Sequence, residues 1–255
     1  MISIEQLKIF AKKYKINESI VAREFVQVTF LKELYEQRLS KEVFFKGGTA
    51  IRLIYGGKRF SEDLDFTVIT KENEFLEKMD VFFEQLSRKY PFKFKERDVI
   101  AGKTYLLTAE IPNLKSNTFV KLDFSTRENV LDPVQEFLKT DYPIIIQSFV
   151  NCLSKNEIFA EKIRAVLKRE KQRDLYDLWI LHELGSIPNI DLITKKLAFY
   201  GEKFEKLALL ESLRKFKKED FILDLKPFVT LNERTKLSEL FDYITKYLEE
   251  TFKKL

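Results

Sequence analysis

The sequence has almost none of the residues that build disulfides and zinc sites. It contains one cysteine, Cys152, and one histidine, His182. An internal disulfide is therefore excluded, and a structural zinc site made of Cys and His ligands is not expected. Any bound metal would need oxygen ligands, which favours Mg²⁺ or Mn²⁺. Because disulfides are missing, the expected location is the cytoplasm.

Glycine, proline and long apolar runs are also scarce. Only 7 glycines and 6 prolines interrupt the 255 residues, which predicts few loops and long helices. No segment approaches the roughly 18 consecutive apolar residues of a membrane span, and the N-terminal residues mix charges with apolar positions, unlike a secretory signal. The net charge of +5 permits a nucleic-acid partner through attraction to phosphate but does not require one.

Hydrophobic periodicity changes near the middle of the chain. Strand-like segments at 43–48, 63–69, 92–99, 104–111 and 118–124 alternate with helical ones at 3–13, 17–38, 49–55 and 72–89. The last three strands are expected to be antiparallel neighbours. Later, Ser154 and Glu157 form a capping box ahead of a helix, and three or four further helices follow from residue 190. We therefore predict an α+β domain over 1–150 and a helical bundle over 151–255.

The segment FFKGGTAIRLIYGGKRFSEDLDF, residues 44–66, carries the strongest chemical signal. A glycine pair between a strand and a helix exposes backbone N–H groups at the helix start, and the missing side chains let an anion approach closely. A threonine hydroxyl follows directly, and the later loop supplies an arginine that could reach a phosphate. The predicted nucleotide-binding residues in this segment are Gly47, Gly48, Thr49, Arg59 and Ser61.

Two aspartates on the next strand suggest a metal site. Asp63 and Asp65 are two residues apart, so both carboxylates project from the same face of a strand. Close carboxylates disfavour each other's charge unless a cation lies between them, and Mg²⁺ typically takes one or two carboxylates together with water and substrate phosphates. Lys121 and Asp123 repeat the pattern on a later strand. Asp123 is therefore a candidate third carboxylate, as ligand of a second metal or as the base for the attacking hydroxyl.

Each of these features alone has a simpler structural explanation. A glycine pair before a helix usually serves packing, and an Asp-x-Asp pair on a strand is usually a solvated face. The ordered combination of strand, glycine pair, hydroxyl, helix, loop and aspartate strand favours a site for a metal and a triphosphate.

These motifs resemble a known group of enzymes. A small-residue pair followed by a D-h-D-h strand, where h is apolar, resembles the nucleotidyltransferase superfamily related to DNA polymerase β. More closely, KGGTAIRLIYGGKRFSEDLDF (46–66) is similar to the AbiEii-type nucleotidyltransferase toxins of bacterial and archaeal toxin–antitoxin and phage-defence systems. AEKIRAVLKREKQRDLYDL (160–178) resembles that family's second block. Residues 185–255 match the family only in being helical.

The resemblance implies a polymerase β-like mixed sheet with flanking helices, followed by a helical bundle. It also implies Mg²⁺-dependent transfer of a nucleoside monophosphate from a nucleoside triphosphate. The implied roles are triphosphate binding by Gly47, Gly48 and Thr49, Mg²⁺ binding by Asp63 and Asp65, contact of Lys162 with the nucleotide, and a part in activity for Asp174. Arg173 and Asp177 have the i, i+4 spacing of an ion pair, and for Asp177 we favour a structural role.

The acceptor and the partners follow from the resemblance alone. It points to RNA, at the 3′ end of tRNA, and to a cognate antitoxin encoded nearby. Two alternatives stay open: the nucleotide could be transferred to a protein or a small molecule, or the chain could be an inactive nucleotide- or RNA-binding module. The intact glycine pair and aspartate pair speak against the inactive module.

Overall fold

Local sequence signals determine where the main helices begin. The computed structural model describes residues 1–97 and 102–255. The first helix, α1 (Ile4–Tyr14), starts after Ser3, which forms a reciprocal capping box with Gln6. The Asn17 side chain caps α2 (Glu18–Tyr35) by accepting from the N–H of Ser19 at 2.9 Å, and Ser154 caps α5 (Lys155–Lys168) by accepting from the N–H of Glu157. These N-terminal ends lie where the sequence predicts them.

The helices in this part of the chain are α1 Ile4–Tyr14, α2 Glu18–Tyr35, α3 Gly47–Leu53, α4 Glu72–Lys89, α5 Lys155–Lys168, α6 Gln172–Glu183, α7 Ile190–Ala198, α8 Lys206–Leu213, α9 Lys218–Leu225, α10 Leu231–Arg234 and α11 Leu237–Lys253. The strands are β1 Val43–Lys46, β2 Leu64–Val68, β3 Phe92–Arg97, β4 Lys103–Ala109, β5 Thr118–Ser125, β6 Pro133–Glu136 and β7 Val150–Leu153. The region after residue 190 thus holds five helices rather than the three or four predicted.

Within the described residues, seven strands form one mixed sheet in the order β3-β4-β5-β2-β1-β7-β6. The predicted antiparallel neighbours β3, β4 and β5 are confirmed, although the end of the segment 92–99 lies outside the described residues. Strand β2 pairs parallel with β5 and antiparallel with β1, which places the aspartate strand at the centre. The sequence did not predict β6 and β7, and β7 pairs parallel with β1.

Phenylalanine side chains fill one face of this sheet. Phe45, Phe66 and Phe124 occupy paired positions on β1, β2 and β5, and the rings of Phe66 and Phe124 stack at 4.8 Å. Phe30 of α2 and Phe75 of α4 cover them, with ring centroids 6.4 Å from Phe66 and 5.1 Å from Phe124. Burying each such ring contributes about 1.5–3 kcal/mol, so this face is the core of the sheet. On the opposite face, Lys46, Asp65 and Asp123 occupy paired positions.

The chain divides into two compact units. One comprises residues 1–56 and 60–152 and contains the sheet; the other comprises 57–59 and 153–255 and contains α5 to α11. The helical unit has its own core, in which Phe159, Phe221 and Phe252 are almost fully buried. The assignment of separate domains to 1–150 and 151–255 stays a prediction. Among the described helices, none has both the length and the apolar composition needed to cross a membrane.

Candidate active site

Three adjacent strands bring charged residues into one row on the polar face of the sheet. Asp65 on β2 lies opposite Lys46 on β1 and opposite Asp123 on β5. On β4, Thr104 continues the row opposite Asp123. Residues paired in this way project from the same face, away from the phenylalanines. The structure therefore brings Asp65 and Asp123 together, although they lie 58 positions apart in sequence.

Gly47 makes room for the Asp65 carboxylate. Its φ of +77° lies in the left-handed region, which side-chain-bearing residues rarely adopt. A Cβ at this position would overlap Asp65 Oδ2 and would lie 3.0 Å from both Cβ and Cγ of Asp65. Glycine is thus required both by the backbone and by the space that Asp65 occupies. Gly48 and Thr49 follow in the first turn of α3, and both are buried.

Two buried polar side chains fix the backbone that leads to the aspartate strand. The Thr49 hydroxyl donates to the carbonyl oxygen of Asp63. From α2, Gln27 donates its amide to the carbonyl oxygens of Ser61 at 3.2 Å and Glu62 at 2.9 Å. These bonds hold the segment from Ser61 to Asp63 against α2 and α3, and they determine where the Asp63 side chain starts. The predicted contacts of Thr49 and Ser61 with a nucleotide stay predictions.

Asp123 has two side-chain partners of its own. Lys121 donates to Asp123 Oδ2 at 2.8 Å, and the Thr104 hydroxyl donates to Oδ1 at 3.1 Å. Burial would lower the pKa of Lys121, but Asp123, and more weakly Asp63 and Asp65, outweigh it and raise that pKa. The Lys121 ammonium is therefore charged and interacts with all three carboxylates.

The carboxylates of this face could hold a metal ion as a pair. Across residues 1–97 and 102–255, no group of three or more His, Cys, Asp or Glu side chains is arranged to hold a metal ion. Mg²⁺ needs only one or two protein carboxylates when water and phosphates complete its shell. Asp63 and Asp65 are such a pair in the sequence, and their role as metal ligands stays a prediction. The third-ligand role of Asp123 stays a prediction.

The helical unit contains a second charged cluster, which holds the residues of the second sequence block. Lys162 Nζ lies 2.6 Å from Asp174 Oδ1 and 2.7 Å from Asp177 Oδ2. Arg59 binds Asp177 through two bonds of 2.6 Å, and Arg169 lies 2.9 Å from Asp174. The structure thus brings the predicted residues Lys162, Asp174 and Arg59 together. Among these five side chains, three cations contact two carboxylates.

Burial and pairing shift the pKa values in this cluster in a consistent direction. Burial alone would raise the pKa of Asp174, but Lys162 and Arg169 outweigh it and hold that pKa at about 2. Burial would lower the pKa of Lys162, and the two aspartates reverse the effect and raise it. Lys162 and Asp174 are therefore both ionised at neutral pH. The predicted phosphate contact of Arg59 stays a prediction, since its guanidinium is buried on Asp177.

The ion pair expected within α6 differs from the one observed. Asp177 pairs with Arg59 and Lys162, and Arg173 pairs with Asp224 at 3.1 Å. The structural role favoured for Asp177 is thus met by partners distant in sequence. The i, i+4 spacing did not predict them, because it concerns only residues on the same helix.

Sequence reasoning missed several buried polar residues around the aspartate strand. Lys46, directly before the glycine pair, forms a buried ion pair with Glu128. Arg52 pairs with buried Glu24, and its guanidinium lies 3.4 Å from the ring centroid of Phe60. The partners of Lys46 and Arg52 lie 82 and 28 positions away, so no local pattern pointed to them.

Comparison with known proteins decides the family. The family model described as "Nucleotidyl transferase AbiEii toxin, Type IV TA system" matches residues 29–247. The chain belongs to the AbiEii family. Both resembling blocks, 46–66 and 160–178, lie inside the matched segment, so the resemblance is confirmed. In sequence the chain matches no curated protein.

Solved structures share the fold at low sequence identity. The AbiEii-family chain is similar to MenT4, a nucleotidyltransferase toxin from Mycobacterium tuberculosis, with 19% identity and a TM-score of 0.69 over 99% of this chain and 93% of that one. It is also similar to JHP933 from Helicobacter pylori, with 23% identity and a TM-score of 0.51 over 92% of this chain and 95% of that one. The predicted α+β nucleotidyltransferase fold is thereby confirmed.

Family membership establishes the reaction class. The chain is a nucleotidyltransferase toxin of a type IV toxin–antitoxin system, which implies a nucleoside triphosphate substrate and a cognate antitoxin. Enzymes of this kind generally use divalent metals. The acceptor, the metal and the role of each residue are matters for proposal.

Proposed function

We propose that this AbiEii-family enzyme transfers a nucleoside monophosphate to RNA, at the 3′ end of tRNA, with Mg²⁺ or Mn²⁺ as cofactor and in the cytoplasm. The observation that carries the proposal is the contact between Asp65 and Gly47. This contact places the Asp65 carboxylate directly beside Gly47, which has no side chain, near the start of strand β2. The net charge of +5 is compatible with an RNA acceptor.

Asp63 and Asp65 would hold the metal ion. Bound Mg²⁺ would supply Lewis-acid stabilisation of the phosphate oxygens. The chain's own contribution is position: Thr49 and Gln27 fix the backbone around Asp63, and Gly47 leaves Asp65 its place. A displacement of about 1 Å in such groups can lower a rate about 100-fold, so these supporting bonds matter for catalysis.

Nucleotide binding would involve both sequence blocks. We propose that the glycine segment, Gly47 to Thr49, and the loop residues Arg59 and Ser61 contribute to it. Lys162 would contribute positive charge from the cluster that it shares with Asp174 and Asp177. Asp174 would keep Lys162 charged and oriented. These roles rest on the family's pattern and on the ion pairs of Lys162.

Transfer of α-³²P label from each of the four nucleoside triphosphates to total tRNA tests the proposal. The comparison is between wild type and the nearly isosteric double variant Asp63→Asn/Asp65→Asn, with and without Mg²⁺. The control is Glu84→Gln, which alters an exposed carboxylate paired with Arg88 at 3.2 Å. We expect labelled tRNA with wild type and the control, and none with the double variant or without metal.

Other outcomes would separate the parts of the proposal. Label on added protein or small molecules instead of RNA would contradict the acceptor. Equal labelling by the double variant would contradict the metal ligands. If no label transfers and calorimetry detects no triphosphate binding, the proposal fails as a whole.

A further inference from the structure

One lysine on the polar face of the sheet lies among the carboxylates. Lys121 is two residues before Asp123 on β5, so both side chains share a face. The paired register places Leu64 opposite Leu122 and Asp65 opposite Asp123, and Asp63 and Lys121 directly precede Leu64 and Leu122 in the chain. The Lys121 side chain donates to Asp123 at 2.8 Å. Two independent features, register and hydrogen bond, thus place a cation beside the proposed metal pair.

The charge balance limits how many metal ions this face can hold. Lys121 compensates one of the three carboxylate charges of Asp63, Asp65 and Asp123 before any metal ion binds. A second ion on Asp123 would compete with Lys121 for Oδ2, while Oδ1 already accepts from Thr104. Two cations this close repel each other strongly in a partly buried site. The third carboxylate is therefore better suited to anchor the lysine than to bind a metal.

The lysine also remains accessible. Its side chain keeps 44% of its surface exposed, unlike the buried Lys46 on the same face. A flexible ammonium with three donor hydrogens can keep one bond to Asp123 and direct another towards phosphate oxygen. Lys121 could thus contact a triphosphate without leaving its anchor.

We propose that Lys121, anchored on Asp123, is the resident counter-cation of the carboxylate site. It supplies the positive charge that a second metal ion would otherwise supply, and it binds the triphosphate of the incoming nucleotide. The proposal rests on the proposed metal role of Asp63 and Asp65. It assigns Lys121 to nucleotide binding and Asp123 to positioning Lys121, in place of metal ligation by Asp123.

The first test measures Mn²⁺ binding in the absence of nucleotide. Electron paramagnetic resonance gives the concentration of free Mn²⁺. Lys121→Met removes a repelling charge and should tighten Mn²⁺ binding about tenfold, whereas Lys121→Arg should leave it unchanged. The double variant Lys121→Met/Asp123→Asn removes one charge of each sign and should return to about the wild-type affinity. The control Lys93→Met alters an exposed strand lysine paired with Glu110 at 2.7 Å and should have no effect.

Binding of inorganic triphosphate at saturating Mg²⁺, measured by calorimetry, gives the second test and needs no knowledge of the base. Lys121→Met should weaken triphosphate binding about tenfold, opposite in sign to its effect on Mn²⁺. Lys121→Arg should restore the binding, which a merely structural effect of the lysine would not predict. Thermal unfolding of each variant establishes that it is folded.

Three results would overturn the inference. Unchanged Mn²⁺ affinity in Lys121→Met would show that the lysine does not act on the metal pair, and unchanged triphosphate affinity would remove its binding role. A double variant at least tenfold weaker than wild type for Mn²⁺ would make Asp123 a metal ligand. A failure of the proposed metal role of Asp63 and Asp65 would give a different result, because Mn²⁺ would then bind equally to wild type and Asp65→Asn.

Discussion

Replacing Gly47 by alanine tests the geometry of the site most directly, because a matched control is available. Gly47 and Gly56 have φ values of +77° and +82°, so alanine is strained at either position. At Gly56 an added Cβ meets nothing within 4 Å, whereas at Gly47 it would overlap the Asp65 carboxylate. The pair of variants therefore separates the backbone effect from the collision with Asp65.

The magnitudes follow from these two effects. The left-handed conformation should destabilise each variant by about 1–2 kcal/mol. In Gly47→Ala, the new Cβ lies 3.0 Å from Asp65 Cβ and Cγ, while carbon atoms in contact prefer about 3.5–4.0 Å. Asp65 must therefore move by about 0.5–1 Å. A displacement of that size in a catalytic group can lower a rate about 100-fold.

We expect Gly47→Ala to lose about 100-fold in tRNA labelling and to bind Mn²⁺ more weakly, at a stability close to that of Gly56→Ala. Gly56→Ala should retain about wild-type labelling and Mn²⁺ affinity. Urea unfolding gives the free energies of unfolding, and labelling is measured well below both midpoints. Normal labelling by Gly47→Ala, or an equal loss in both variants, would refute the argument that Gly47 is glycine because of Asp65.

Three further predictions concern single groups. Thr49→Val should destabilise the protein by about 1–3 kcal/mol in urea unfolding, because the Asp63 carbonyl loses its donor, whereas Thr49→Ser should stay near wild type. Because the pKa of Asp174 is lowered from its ordinary value of 3.8, the ionised carboxylate stabilises the fold at pH values above 3.8. This contribution of about 2 kcal/mol should be lost as the pH falls to about 2. Thermal unfolding at pH 5 and pH 2 should show the loss in wild type and much less of it in Asp174→Asn. The Cys152 thiol, whose pKa burial raises to about 12, should react with Ellman's reagent at pH 8 only after unfolding; reaction in the folded protein would contradict its burial.

Local patterns were sufficient to predict the elements that carry the site. Alternation along 63–69 indicated that Leu64 and Phe66 point inward, and the structure buries both completely. The caps at Asn17 and Ser154 are short-range chemistry, so their positions could be predicted from a few residues. The Lys121–Asp123 spacing repeats the Asp63–Asp65 spacing, which indicated that the two residues of each pair share a face. The observed register, with Asp65 opposite Asp123, agrees.

What could not be predicted depends on residues far apart in sequence. Strand β7 is only four residues long and pairs with β1 across about a hundred positions, so alternation within it carries little signal. Buried ion pairs such as Lys46 with Glu128 are determined by the folded sheet, not by spacing. Arg59 stands in a loop by composition, yet the fold buries it on Asp177. In each case the tertiary contacts of the folded chain determine the partner.

The phenylalanine core also serves the site by fixing its register. Phe66 and Phe124 stack at 4.8 Å with an interplanar angle of 11°, directly after the paired aspartates Asp65 and Asp123. Because side chains alternate along a strand, a slip of one residue between β2 and β5 would turn one strand's aspartate into the core and expose its phenylalanine. Burial of the two rings, about 1.5–3 kcal/mol each, opposes that slip. The carboxylates are thus held opposite each other by the apolar residues behind them, and Phe124→Leu should weaken Mn²⁺ binding at the proposed metal site before it unfolds the sheet.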